Sequence, residues 1–109
     1  MNLEQYQTLA KRTAAPKDKK NEVFQLILGL IGEAGEVAEK MKKIVRDQDS
    51  DFGTVDKADL KKELGDILWY LAMLADYFDI PLEDVASANI EKLASRQARG
   101  TLSGSGDNR

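Results

Sequence analysis

The sequence contains no cysteine and no histidine. The first absence excludes disulfides, thiolate chemistry and structural zinc of the cysteine type. The second removes the Ser-His and Cys-His triads, the HExxH zinc site and every imidazole acid or base near neutral pH. Long hydrophobic runs are also missing. The strongest, Val23 to Ile31, is broken by Gln25 and Gly29 and is too short to span a bilayer. Nothing at the N-terminus reads as a signal peptide, so a soluble, cytoplasmic protein is expected. An excess of one charge is lacking too. Lys and Arg number 16 against 19 Asp and Glu, and the net charge of -3 gives no general reason to bind nucleic acid or an acidic membrane. Any catalysis must therefore rest on carboxylates, lysines, hydroxyls or a metal held by oxygen.

What is present is helical spacing. At 109 residues the chain is of one-domain size. Asn2 followed by Gln5 forms a capping box for a short helix through about Lys11. Thr13 to Lys20, with Pro16, reads as a basic connector, and Asn21 as the cap of a long second helix. Its apolar residues fall at Phe24, Ile27, Leu30, Ile31, Ala34, Val37, Ala38, Met41, Ile44 and Val45, and its last turns carry Lys40, Lys42, Lys43 and Arg46. Asp47 to Asp56 is a polar loop. Its opening resembles an EF-hand, but Phe52 and Ala58 stand where Gly and Glu are needed, so it reads as a solvated acidic loop.

Asp56 is placed to cap a third helix with apolar positions at Leu60, Leu64, Ile67, Leu68, Leu71, Leu74, Ala75 and Phe78. Pro81 introduces a fourth, from about Leu82 to Gln97. No strand-like alternation occurs. The expectation is an all-α antiparallel bundle of about four helices in residues 1–99, followed by a flexible Gly/Ser-rich tail at 100–109. From Glu22 to Arg46 the second helix would run about 37 Å, long for so small a protein. Trp69, Tyr70, Met73 and Tyr77 lie off the Leu60–Leu64–Leu71 stripe, so the third helix needs cover on two sides. A second copy of the chain is the expected cover; the plainer alternative is the N-terminal helix or the tail.

A short internal repeat carries the chemistry. Glu33-Ala34-Gly35-Glu36-Val37 in the second helix matches Glu63-Leu64-Gly65-Asp66-Ile67 in the third. Within each, the two acids lie on one face a turn apart. Glu33 and Glu63 stand at the edge of the apolar stripe, and Glu36 and Asp66 about 60° further round. Antiparallel packing along those stripes would bring four carboxylates to one seam, where they raise one another's pKa values. A divalent hard cation resolves that conflict, and Mg²⁺ suits it, with Mn²⁺ a possible substitute. One such pair alone is common on exposed helix faces; two at matching angles are not. A ferritin-like di-iron site needs Glu-x-x-His on two helices and is excluded. Gly35 and Gly65, inside helices where Gly costs ~1 kcal/mol against Ala, suggest close backbone approach.

At these residues the chain resembles the MazG-like, all-α nucleoside triphosphate pyrophosphohydrolases, whose signature is ExxE, a spacer and ExxD. Here the motifs are Glu33/Glu36 and Glu63/Asp66. The resemblance extends to Tyr6-Gln7, Ala10 to Ala14, Gly29 to Glu36, Glu63 to Leu71, Asn89 to Leu93, Arg96 to Gly100 and the Gly104 to Arg109 ending. It implies Mg²⁺-dependent hydrolysis of a (deoxy)nucleoside triphosphate between the α- and β-phosphates, as in small house-cleaning enzymes. It also implies sites placed between subunits of a homodimer or homotetramer. Mg²⁺ on Glu33, Glu36, Glu63 and Asp66 would neutralise the triphosphate and orient an attacking water. Four carboxylates exceed the needs of one Mg²⁺. Either more than one ion binds, or one carboxylate, Glu36 or Glu33, acts as general base.

Asn89, Lys92 and Arg96 fall at i, i+3 and i+7 on one edge of the fourth helix. Such donors suit phosphates or a base edge; spacing alone equally allows a solvated flank, and the resemblance favours function. Lys40 and Tyr70 each follow a motif by a turn and are candidates for phosphate or sugar contact. Trp69, Phe24 and Tyr77 could stack on a base, although core packing is the better fit for Phe24. The competing reading is a non-catalytic nucleotide- or metal-binding helical module. A purely structural oligomerisation domain leaves the acid repeat unexplained.

Overall fold

The computed structural model describes residues 1–15 and 19–109; Pro16, Lys17 and Asp18 of the expected connector lie outside the described residues. Four α-helices and no strand are found among them: α1 (Leu3–Lys11), α2 (Lys19–Asp47), α3 (Lys57–Tyr77) and α4 (Leu82–Arg99). The capping box is made in full, Gln5 N donating to Asn2 Oδ1 and Asn2 N to Gln5 Oε1, each at 2.8 Å. Asp56 caps α3 by accepting from the amides of Ala58 and Asp59. At the start of α2 the expectation is corrected, because the helix is already formed at Lys19 and Asn21 lies within its first turn. A single 3₁₀ turn, Phe52–Thr54, interrupts the polar loop where Asp51 accepts from Gly53 N.

The helices α2 and α3 form the principal pair and run antiparallel, in a register that sets Lys40 against Asp59 and Gly29 against Tyr70. Helix α1 packs on α3 and α4, while α4 packs on α1 and α3 and does not touch α2 among the described residues. Gln7 joins three elements at that corner. Its amide nitrogen donates to the carbonyls of Ala72 and Ile80, each at 3.1 Å, and its carbonyl accepts from Leu82 N at 2.9 Å. Pro81 occupies the N-cap of α4 and makes no side-chain cap bond, so Gln7 supplies the acceptor that the first turn needs.

The buried cluster is small: Ala10, Leu26, Ala72, Met73 and Leu82, with Tyr6, Leu68, Trp69, Tyr70 and Tyr77 packed partly against it. This corrects the expectation for the aromatic side of α3. Its cover comes from α1 and the start of α2 in the same chain, and Trp69 Nε1 donates to Thr13 Oγ1 at 2.8 Å. The open side is the aliphatic one instead. Leu64 and Leu71 of α3 are exposed, as are Phe24, Leu28 and Ile31 of α2.

The consequence is an open molecule. The radius of gyration is 16.9 Å, against about 13 Å for a compact chain of this length. The accessible surface is 7963 Å², where a compact monomer of this mass would show roughly 6,000 Å². No helix among the described residues is long and apolar enough to cross a membrane.

Candidate metal and nucleotide site

The antiparallel register of α2 and α3 decides which acids meet. Carboxylate oxygens of Glu33, Glu63 and Asp66 all lie within 4.8 Å of one another, the one such group among the described residues. Glu33 and Glu63 are half-buried at the edge of the helix pair, whereas Glu36 and Asp66 are exposed. Glu36 stands outside the group of three. Burial, then the charges of Asp66, Glu63 and Glu36, raise the Glu33 carboxyl above its ordinary pKa. Three convergent carboxylates without a nitrogen or sulfur donor are the ligand chemistry of a hard divalent cation. The acidic loop at Asp47 to Asp56 forms no comparable group among the described residues.

Around this cluster lie groups that the sequence reading placed there and groups that it missed. Lys40 reaches from α2 to α3, where its ammonium forms a close ion pair with Asp59 and stands 3.6 Å from Glu63 Oε1. The hydrogen bond to Asp59 raises the Lys40 pKa, against the opposing effect of burial. Asp59 was not among the expected site residues. The signal that could have found it is spacing, since Asp59, Glu63 and Asp66 fall at i, i+4 and i+7 on one face of α3. Tyr6 of α1 was likewise missed as a neighbour of the site. Burial first, and the Asp66 charge second, raise its phenol above the ordinary value. Tyr70 stacks edge-on with Trp69, their centroids 5.1 Å apart, and its ring lies over Gly29.

The fourth-helix candidates form a separate group. Arg96 is buried, and its Nη2 donates to the carbonyl of Asp107 and, at 3.3 Å, to its carboxylate. Lys92 Nζ reaches the same carboxylate at 3.1 Å, while Asn89 is exposed. Because α4 does not touch α2, one chain does not set these cations and amide against Glu33. The segment after Gly100 lies back against α4. Gly100, Gly104 and Gly106 all have positive φ, and the Arg109 guanidinium donates to the carbonyls of Thr101, Leu102 and Gly106. Glycine is needed in such a loop because a β-carbon is strained at those angles.

With this geometry in hand, comparison with known proteins is specific. The family model for the MazG nucleotide pyrophosphohydrolase domain matches residues 22–100, which hold all four motif acids. The chain belongs to the MazG family. It is 43% identical over 114 residues to the Gene 37 protein of Mycobacterium phage L5, covering both chains completely. It is also 38% identical over 72 residues to the Uncharacterized protein YvdC of Bacillus subtilis (strain 168), covering 62% of this chain and 68% of that one. No solved structure matches significantly. Membership carries the all-helical fold, a nucleotide substrate and metal-dependent pyrophosphohydrolase chemistry at the level of the family.

Proposed function

We propose that this MazG-family chain hydrolyses (deoxy)nucleoside triphosphates between the α- and β-phosphates, releasing monophosphate and pyrophosphate, and so clears the nucleotide pool of the cytoplasm. The observation that carries the reading is the convergence of Glu33, Glu63 and Asp66 across the α2–α3 seam. Mg²⁺, or Mn²⁺ in its place, is the cation that these oxygens suit. It would supply charge neutralisation for the triphosphate and a water of lowered pKa. Glu36, whose charge acts on Glu33, would complete the ligand set or take a proton from the attacking water. Glu33 is the other candidate for that role.

Lys40, its ammonium 3.6 Å from Glu63 Oε1, would supply positive charge to a phosphate of the substrate. Trp69 and Tyr70 are the aromatic pair on the same helix, one turn beyond Asp66. Lys92 and Asn89 would reach the substrate from α4 of a second copy, since within one chain α4 is not packed on α2; Arg96, buried and bound to Asp107, would serve by holding the tail against α4. A homodimer or homotetramer is supported by the open shape. The surface in excess of a compact monomer is on the order of 2,000 Å², the amount that an obligate interface removes from each subunit.

The deciding experiment supplies a panel of dNTPs and NTPs with Mg²⁺ and scores pyrophosphate and orthophosphate separately. Pyrophosphate with monophosphate is expected, and its loss in Glu63→Gln. Orthophosphate with diphosphate would move the attack to the γ-phosphate. Binding without turnover would make the chain a nucleotide-binding module.

A further inference from the structure

Glu63 is claimed from two directions. One of its oxygens belongs to the group with Glu33 and Asp66, and its Oε1 lies 3.6 Å from the Lys40 ammonium. The Lys40 side chain is 30% exposed and that of Glu63 only 18%, so the two charges face each other with limited screening by water. An ammonium on a flexible stem moves to the deepest negative potential within reach, here the three clustered carboxylates. A Lys40 seated on Glu63 would hold the oxygen that a cation needs. Asp59 prevents this. It lies one helical turn before Glu63, on the side away from Asp66, and it is the nearer partner of Lys40.

We infer that Asp59 is a positioning residue, holding the Lys40 ammonium at the flank of Glu63 so that the Glu63 carboxylate stays available to a divalent cation shared with Glu33 and Asp66. The inference rests on the metal-dependent reading proposed above. It gives Lys40 and Asp59 one joint role: a neutral pair beside the cluster that lends Glu63 orientation without neutralising it. Deleting the acid frees the lysine to compete; deleting both removes competitor and tether together.

The test is Mn²⁺ affinity of the full-length chain, read from the electron paramagnetic signal of free Mn²⁺, at roughly 50 mM and 500 mM KCl. The higher salt shortens the screening length to about 4 Å and suppresses effects of distant charge. Asp59→Asn is expected to weaken Mn²⁺ binding on the order of tenfold at both salts. The Asp59→Asn/Lys40→Met double variant should return to within about twofold of the parent, and Asp59→Glu, which keeps the counter-ion, should bind as the parent does. Unchanged affinity in Asp59→Asn with its helical circular dichroism intact overturns the inference. So does a loss that vanishes at high salt, or one that persists in the double variant, which would make Asp59 a ligand or a remote charge. A parent chain that binds no Mn²⁺ overturns the metal-site reading itself, and is distinguished from the former outcomes because no variant is needed to see it.

Discussion

The ring of Tyr70 lies directly against the backbone of Gly29, so that a β-carbon at position 29 would overlap the ring atoms Cε1 and Cζ. This contact sets the spacing of α2 and α3 one turn from Glu33 and one turn from Asp66. Gly29→Ala forces Tyr70 to move or the helices to part. An overpacking loss of about 1–3 kcal/mol is expected in urea denaturation, with weaker metal binding because the carboxylates separate. Gly35 and Gly65 have nothing within 4 Å of an added β-carbon in the single chain. Alanine there should instead stabilise by up to ~1 kcal/mol through helix propensity. Destabilisation at either position would mean that the backbone of a second copy lies against it.

Gln7 offers a sharper case of polar economy, since all three of its bonds go to main-chain groups of α3, the turn and α4. Gln7→Ala strips the Leu82 amide of its acceptor and two carbonyls of a donor. Chemical denaturation should show a loss of about 1–3 kcal/mol, the cost of leaving partly buried polar groups unpaired. Gln7→Glu retains the acceptor for Leu82 and sets an acid against the carbonyls of Ala72 and Ile80, so it should lose comparable stability at neutral pH and less in acid.

Much of this architecture was legible because it is local. The Asn2–Gln5 box, the Asp56 cap and the turn at Pro81 each depend on residues within three or four positions, and helical spacing located all four helices. The acid repeat was legible for the same reason, each pair being a turn apart on its own helix. What spacing could not give was register. The glycine that meets a neighbour is Gly29 and not Gly35 or Gly65, because only the pairing of α2 with α3 decides what faces each position. Asp59 was passed over for want of the same information, as its part in the site depends on Lys40 of the other helix. Register also decided which side of α3 found cover, the aromatic side beneath α1 rather than the aliphatic one. The 3₁₀ turn at Phe52–Thr54 and the early start of α2 at Lys19 have no strong local signature.

Asp107 couples the tail to pH. Its hydrogen bond from Lys92, then that from Arg96, hold its carboxyl below the ordinary carboxylate value. A carboxylate whose folded pKa is depressed contributes stability that is fully present above its unfolded pKa and is lost as pH falls through the folded one. Docking of residues 100–109 should therefore be constant through neutral pH and weaken only in acid, as pH falls from the ordinary carboxylate range through the depressed value of Asp107. The amide resonances of Gly104 and Gly106 report it directly. They should shift together on acidification in the parent chain, while Asp107→Asn should show the released positions already at pH 7 and no acid transition. Separate movements of the two resonances would argue against a single docked unit.

Leu28 and Ile31 project from α2 with 67% and 63% of their surface open, one turn apart and next to the acid motif. For a monomer these are surface positions, and a change to Asp should alter stability by no more than about 0.5 kcal/mol. Covered by a second copy, the same change buries an unpaired carboxylate in an apolar interface, which costs several kcal/mol and splits the assembly. Sedimentation equilibrium distinguishes the two. Ile31→Asp is expected to yield a 12.1 kDa species and a melting temperature that no longer rises with protein concentration. Ile90→Asp on α4, 66% open, makes the parallel test of the other uncovered helix. If Ile31→Asp dissociates the protein and Ile90→Asp does not, α2 forms the principal interface. Nucleotide hydrolysis should then fall in the Ile31→Asp monomer while Mn²⁺ binding survives, because Glu33, Glu63 and Asp66 belong to one chain whereas Lys92 and Asn89 would come from another.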